Sequence, residues 1–357
     1  MTTYTVLFFS LVLYLVPLFS NIMNVTSLLK AKNNFYIISC SEAILFLLTP
    51  VFIVLYLNSC FMLQDVTAWF GHIIFSSFQY KVTYFVSFMF ILVLHLFSTS
   101  TYFSSNEIYD FVITKYNMYY WILFLFFSNS VFTAIFVIEV LSTLIFLLIS
   151  TSIFSTTFFF KNISFDLKVF FKNDMPFVFL QSLLFFFWVS LVSSLNLFVF
   201  IILFYNNLLT FDYYLIEHIF SYFVNVSSFN SVLFIGLTWF LIVFSIFLKC
   251  GIVPLFLWKP TFFKGLNFNV LIFYIVFFYF FLFLFFINFL SIYFSCLFYY
   301  YSFVTTLFIF LGLISLFFIL CESFYIKTFF AISSILNSLL IFVSLVSLHS
   351  VDFMFFL

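Results

Sequence analysis

The sequence predicts an all-α, polytopic membrane protein of about ten transmembrane helices. Of its 357 residues 67% are hydrophobic and only 6% are charged, with 72 phenylalanines among them. A water-facing surface needs far more charge than that. The apolar residues also fall in runs of about the 20 residues needed to cross a hydrocarbon core roughly 30 Å thick, and polar clusters separate the runs. The length allows little extramembrane domain, and the composition excludes collagen, coiled-coil and nucleic-acid-binding classes.

Taken in order, the candidate spans are 4 to 23, 36 to 57, 82 to 103, 116 to 132, 133 to 151, 175 to 204, 231 to 257, 268 to 292, 296 to 319 and 328 to 348. The cluster Lys30-Ala31-Lys32-Asn33-Asn34 separates the first two, Ser104-Ser105-Asn106-Glu107 closes the third, and Lys172-Asn173-Asp174 precedes the sixth. The fourth and fifth runs are nearly continuous and are divided at Ser128-Asn129-Ser130. No tandem repeat of short period is present.

Lysine placement tests this map. With ten spans, the loops after helices 1, 3, 5, 7 and 9 share one side and hold Lys30, Lys32, Lys115, Lys161, Lys168, Lys172, Lys259, Lys264 and Lys327, nine of the 11 lysines. The other side has Lys81, and Lys249 lies within a span. The positive-inside rule puts the odd loops on the matrix or cytoplasmic side and both termini on the opposite face. All 11 basic residues are lysine, and Ala, Gly and Pro number five each. Those scarce types need GC-rich codons, which points to an AT-rich organelle genome. Met1-Thr2-Thr3-Tyr4 shows no positive n-region or transit peptide.

Three charged residues fall inside apolar runs: Glu42, Glu139 and Lys249. Each costs at least roughly 2.5 kcal/mol at a helix centre unless it faces a protein partner or a water-filled cavity. Glu139 reads either as a protonated, hydrogen-bonded core residue or as a functional carboxylate, and for Glu42 a structural role is the expectation. Lys249 follows 18 uncharged residues, Ser231 to Leu248, which disfavours snorkelling to the interface. Pro254 lacks an N–H and its ring clashes with the carbonyl of Cys250, so with Gly251 it predicts a helix break just after the lysine and open carbonyls beside it. A broken helix in lipid is tolerated where it lines a cavity, and a lysine away from water is a cation able to exchange protons near neutral pH. Tyr274 and Tyr279 are the polar marks of the eighth span.

Cys40, Cys60, Cys250, Cys296 and Cys321 include no CxxC pair, so the expectation is small core residues rather than disulfides or a metal site. His72, His95, His218 and His349 do not pair at helical spacing, which argues against a dihaem or copper core. No cofactor or metal is expected. The Asn-x-Ser/Thr triplets at Asn24, Asn162 and Asn225 are chance matches.

The run Lys249-Cys250-Gly251-Ile252-Val253-Pro254-Leu255-Phe256-Leu257-Trp258-Lys259-Pro260-Thr261-Phe262-Phe263-Lys264-Gly265 resembles the K-L-x-x-V-P-F-H-x-W-x-P-D-V-Y-x-G stretch of the chain 2 family of the proton-pumping NADH:ubiquinone oxidoreductase, respiratory complex I. Phe256 stands where that family has His, Thr261 where it has Asp, and Lys264 where it has an acidic or polar residue. Ser128-Asn129 followed by Val137-Ile138-Glu139-Val140-Leu141-Ser142 is similar to the fifth-helix N-x-x-x-x-x-x-x-G-I-E-L-x-S. Lys172, with Lys168 as the alternate, looks like the lysine opening the family's sixth helix. Ile326-Lys327-Thr328-Phe329-Phe330-Ala331-Ile332-Ser333-Ser334-Ile335 resembles I-K-R-L-L-A-Y-S-S-I, with Asn337 where a His usually stands. The resemblance covers about residues 80 to 350.

What the resemblance implies is an antiporter-like fold with a broken seventh helix, in three sections: helices 1 to 3 over 1 to 110, a first proton half-channel over 111 to 265, and the start of a second half over 266 to 357. Glu139, Lys172 and Lys249 would move protons, Gly251 and Pro254 would make the break, and Tyr279 and Lys327 are possible relays. The implied role is a cofactor-free, non-redox subunit coupling quinone reduction to proton pumping in the mitochondrial inner membrane, with both termini on the intermembrane-space side. Its partners would be other membrane-arm subunits, lipids, and a separate chain completing the C-terminal helices, because the family continues for about four more helices. The family's second lysine, in the eighth helix, is Tyr279 here. A sibling subunit, a cation/proton antiporter subunit, or a membrane scaffold with the pump lost are the alternatives.

Overall fold

The computed structural model describes residues 66–68, 70–98, 105–161, 175–225, 229–293, 295–321 and 325–346. The first two expected spans, Glu42, Lys168 and Lys172 lie outside them. Two short strands, β1 (Val66–Ala68) and β2 (Ile73–Phe75), pair antiparallel with Val66 opposite Phe75. Everything else regular is helical: α1 (Ser77–Ser98), α2 (Ser105–Phe127), α3 (Val131–Lys161), α4 (Met175–Leu208), α5 (Tyr213–Asn225), α6 (Phe229–Cys250) and α7 (Trp258–Gly265). A single rod then runs through α8 (Phe268–Phe273), a π-helical segment π1 (Tyr274–Tyr279) and α9 (Phe280–Tyr293). It is followed by α10 (Ser295–Cys321) and α11 (Ile326–Val346).

The protein is an all-α, multi-pass membrane protein. Five of the described helices are long and apolar enough to cross a bilayer, and shorter apolar stretches lie at Ser77–Val93 and Thr305–Leu320. Burial separates a core from a rim. The Val270–Tyr293 span has 72% of its most apolar stretch buried, against 22% for Val178–Asn207, so the first is the central helix and the second presents Trp188, Leu195 and Phe198 outward. The centre is aromatic: Phe90 stacks on Tyr119 with ring centres 4.7 Å apart and meets Phe277 at 5.2 Å. Tyr119 keeps its hydroxyl satisfied, 2.7 Å from Ser87 Oγ.

Three connections converge at one end of the bundle. Asn129 donates its backbone N–H to the His72 carbonyl at 2.8 Å and its side-chain amide to Gly71 at 3.0 Å, and Ser130 bridges Asp212. These are loops after even-numbered spans. Lys327 Nζ reaches the Leu266 carbonyl at 2.6 Å, joining two loops after odd-numbered spans. The alternation of the expected map is therefore present among the described residues.

Several expectations need correction. Helix α1 begins at Ser77 rather than 82, and α2 begins at Ser105 rather than 116, so Lys115 is not in a loop but buried inside α2, with its ammonium 5.3 Å from the Phe273 ring centre. Lys259 is not a loop lysine facing water either: it is fully buried. The strand pair and α5 were not expected. Each strand has three residues, too short for an alternating pattern to register. Helix α5 has 13 residues and carries Glu217 and His218, so no 20-residue apolar window covers it.

Candidate functional site

The site begins at the end of α6. Gly251 takes a left-handed conformation with φ of +61°, a region that side chains disfavour. Its N–H bonds to the Leu248 carbonyl at 3.3 Å, and the Ile252 N–H reaches back to Phe247 at 2.9 Å. This pair of bonds is a Schellman termination, which needs a residue such as glycine at the turn. The chain then passes through Val253-Pro254, a cis peptide bond, and resumes as α7 at Trp258.

The expectation of open carbonyls beside the lysine is corrected by this geometry. Besides the two Schellman bonds, Trp258 Nε1 donates to the Leu248 carbonyl and Lys259 Nζ to that of Cys250, both at 3.2 Å. Glycine, more than proline, sets where the helix stops. Room is tight there: a Cβ on Gly251 would stand 2.9 Å from Lys259 Cδ, and one on Gly312 of α10 would fall 1.4 Å from Val253 Cγ1.

Lys249 sits in the last turn of α6, where a cation complements the negative helix end. Its ammonium meets Glu139 Oε1 of α3 at 2.5 Å, and the two side chains are 5% and 34% exposed. Ser142 Oγ donates to the Glu139 carbonyl at 2.7 Å and lies 3.5 Å from its Oε2. A cavity of about 20 Å³ adjoins the lysine, lined by Ser142, Ser190, Lys249, Trp258 and Phe278 among others. That is about the size of one water.

Of the residues singled out from the sequence, Glu139, Lys249 and Gly251 come together here. Pro254 sits in the same turn but is exposed. Lys327 lies at the far end of α7, donating to Leu266. Tyr279 is buried in π1, and its ring centre is 3.6 Å from Lys259 Nζ. Sequence reasoning missed Lys259 and Lys115. The signal for Lys259 was its place between Trp258 and Pro260, one helical turn past a break, where a lysine is more easily read as punctuation.

The fold and site together define a class: a multi-pass α-helical membrane protein built around a broken helix with an intramembrane ion pair. No protein-family model matches the chain, and no curated protein matches it. Among solved structures the fold is similar to a chain of the membrane-bound sulfane sulfur reductase (MBS), an archaeal respiratory membrane complex, with a TM-score of 0.54 and 16% sequence identity, covering 87% of this chain and 50% of that one. The present chain thus spans about half the length of the chain it matches.

Proposed function

We propose that this chain is an antiporter-like, proton-translocating membrane subunit of a respiratory NADH:ubiquinone oxidoreductase, the counterpart of its chain 2, in the mitochondrial inner membrane. The observation that carries this reading is the ion pair of Lys249 with Glu139 at a helix break beside a water-sized cavity. An intramembrane cation and anion from two helices form a switchable pair, and a broken helix gives water a route to it. The motif resemblance and the similarity to a chain of a respiratory membrane complex support the same reading.

On this reading the subunit does no redox chemistry. Lys249 holds a proton as an ammonium while Glu139 faces it. When Glu139 turns to Lys172, that support is withdrawn and the proton leaves into the cavity. A unit charge about 6 Å away at an effective dielectric near 20 is worth roughly 3 kcal/mol, about a hundredfold in a proton equilibrium. The three sections of the chain would act as an N-terminal anchor, a first half-channel and the start of a second. Other membrane-arm subunits are its partners, and further polypeptide packs on the α10–α11 face, where Asn337, Phe310 and Phe317 are exposed.

The experiment is Lys249→Met, with Lys249→Arg beside it, in the intact assembly reconstituted into vesicles. Fewer protons moved per NADH oxidised is the expected result for both. An undiminished ratio in either would overturn the role given to Lys249.

A further inference from the structure

Lys259 has no task in the mechanism above, yet among the described residues it is one of the most enclosed side chains, at 0% exposure. Moving an ion out of water costs several kcal/mol unless partners compensate. Those partners are a single backbone carbonyl, that of Cys250 at 3.2 Å, and two ring faces, Tyr279 at 3.6 Å and Phe263 at 5.9 Å from their centres. The ion pair among the described residues is that of Lys249 with Glu139, so no described carboxylate pairs with Lys259.

A purely structural cap does not account for this placement. The two Schellman bonds close the Phe247 and Leu248 carbonyls and leave that of Cys250 to Lys259, but a neutral donor would serve one carbonyl at less cost than an enclosed ammonium. The surroundings instead suit a charge that comes and goes. A ring face and a carbonyl stabilise an ammonium without fixing it as a carboxylate would, and both contacts tolerate a neutral amine. The titratable groups on the elements packed about it are Cys250 and Lys249 of α6, Tyr274 and Tyr279 of π1, and, at the far end of α7, Lys327 of α11, whose ammonium is held by Leu266. Trp258, its neighbour in the chain, lines the same cavity as Lys249.

We propose that Lys259 is a second proton-carrying residue, in series with Lys249 across the helix break. An N–H bond of the Lys249 ammonium breaks and its proton passes to a water at the break, beside Cys250, whose carbonyl Lys259 holds. A proton of that water forms an N–H bond on the neutral Lys259 amine. Lys249 ends neutral, Lys259 ends as the cation, and no electron changes hands. The Tyr279 ring and the Cys250 carbonyl receive the arriving charge. The proposal rests on the proton-translocating reading of the chain.

The test compares Lys259→Met, Lys259→Arg, Lys249→Met and the Lys249→Met/Lys259→Met double variant in the assembly reconstituted into vesicles, reading protons moved per electron pair. Lys259→Met is expected to lose the same share of that ratio as Lys249→Met, with no further loss in the double variant, as for two residues acting in one path. Arginine keeps the charge and the carbonyl bond but does not release its proton, so Lys259→Arg is expected to lose that share too, whereas a structural cap would be rescued by it. A full ratio in either Lys259 variant, with a reduced one in Lys249→Met, overturns the proposal and leaves the proton-translocating reading standing. A full ratio in Lys249→Met overturns that reading. Where the Lys259 variants do not accumulate, Tyr279→Leu, which keeps the lysine and its carbonyl contact, decides: a displaced pH profile of the ratio is expected, and an unmoved profile overturns the proposal.

Discussion

Lys249 and Glu139 lie 110 residues apart in the chain and meet at 2.5 Å, the lysine enclosed and the glutamate one-third open. The asymmetry matters for what each substitution does. Breaking a fully buried pair costs about 3–5 kcal/mol, because one charge is left without compensation, and exposure of one partner lowers that figure.

Glu139→Gln is therefore expected to destabilise the chain by roughly 1–3 kcal/mol. The double variant Glu139→Gln/Lys249→Met removes both charges and is expected to recover most of the loss. Thermal denaturation of the purified assembly across the four-member cycle measures the coupling, and additive effects would show that the pair contributes nothing.

Gly251→Ala forces a side chain into a conformation at φ +61° and against Lys259 Cδ. The backbone term alone is about 1–2 kcal/mol. A fall in thermal stability is expected; an unchanged melting temperature would mean that the helix does not terminate on this residue.

Gly312→Ala places a methyl where Val253 packs, 1.4 Å from its Cγ1 and 2.4 Å from its Cβ. Overpacking of this kind costs roughly 1–3 kcal/mol. Val253→Ala added to it is expected to relieve part of the loss but not all, because the Cβ clash remains. Full recovery, or no initial loss, would show that α10 does not rest on the break.

Lys327→Met removes the donor to the Leu266 carbonyl, held at 2.6 Å at the end of α7. A hydrogen bond from a charged group contributes about 1.5–3 kcal/mol, and partial exposure puts the expected loss at the lower end. Lys327→Arg, which keeps a donor there, is expected to retain more of the stability. Equal loss in the two variants would assign the effect to packing instead.

Much of this architecture is legible in the sequence because lipid imposes one requirement, about 20 apolar residues per span. The turn at Ser128-Asn129-Ser130 and the stop near Lys249 follow from that rule with glycine and proline added. The same rule fails where a lysine sits near a span end. Lys81, exposed on α1, and Lys259 or Lys115 in the core look alike in one dimension, since what separates them is a carbonyl or a ring from a distant element. The pairing of Lys249 with Glu139 is of that kind: each residue announces itself as costly in lipid, and it is the family resemblance, not the pattern of the sequence, that suggests they act on one another. The π turn within the eighth span leaves no local mark, because Phe, Tyr, Ile and Val suit either helical form.

That π turn has a geometric consequence. Residues five apart on a regular α-helix point roughly 140° away from each other, since each step turns about 100°. Tyr274 and Tyr279 are five apart, yet their rings lie stacked, 6.3 Å between centres and 25° between planes. The wider turn is what brings both tyrosines to the same side as Lys259. If the stretch wound back into α-helix, everything beyond it would slip by one residue, and the ring beneath the ammonium would swing away. The central helix is thus wound like a one-notch ratchet, and the aromatic seat of a buried cation depends on which notch it occupies.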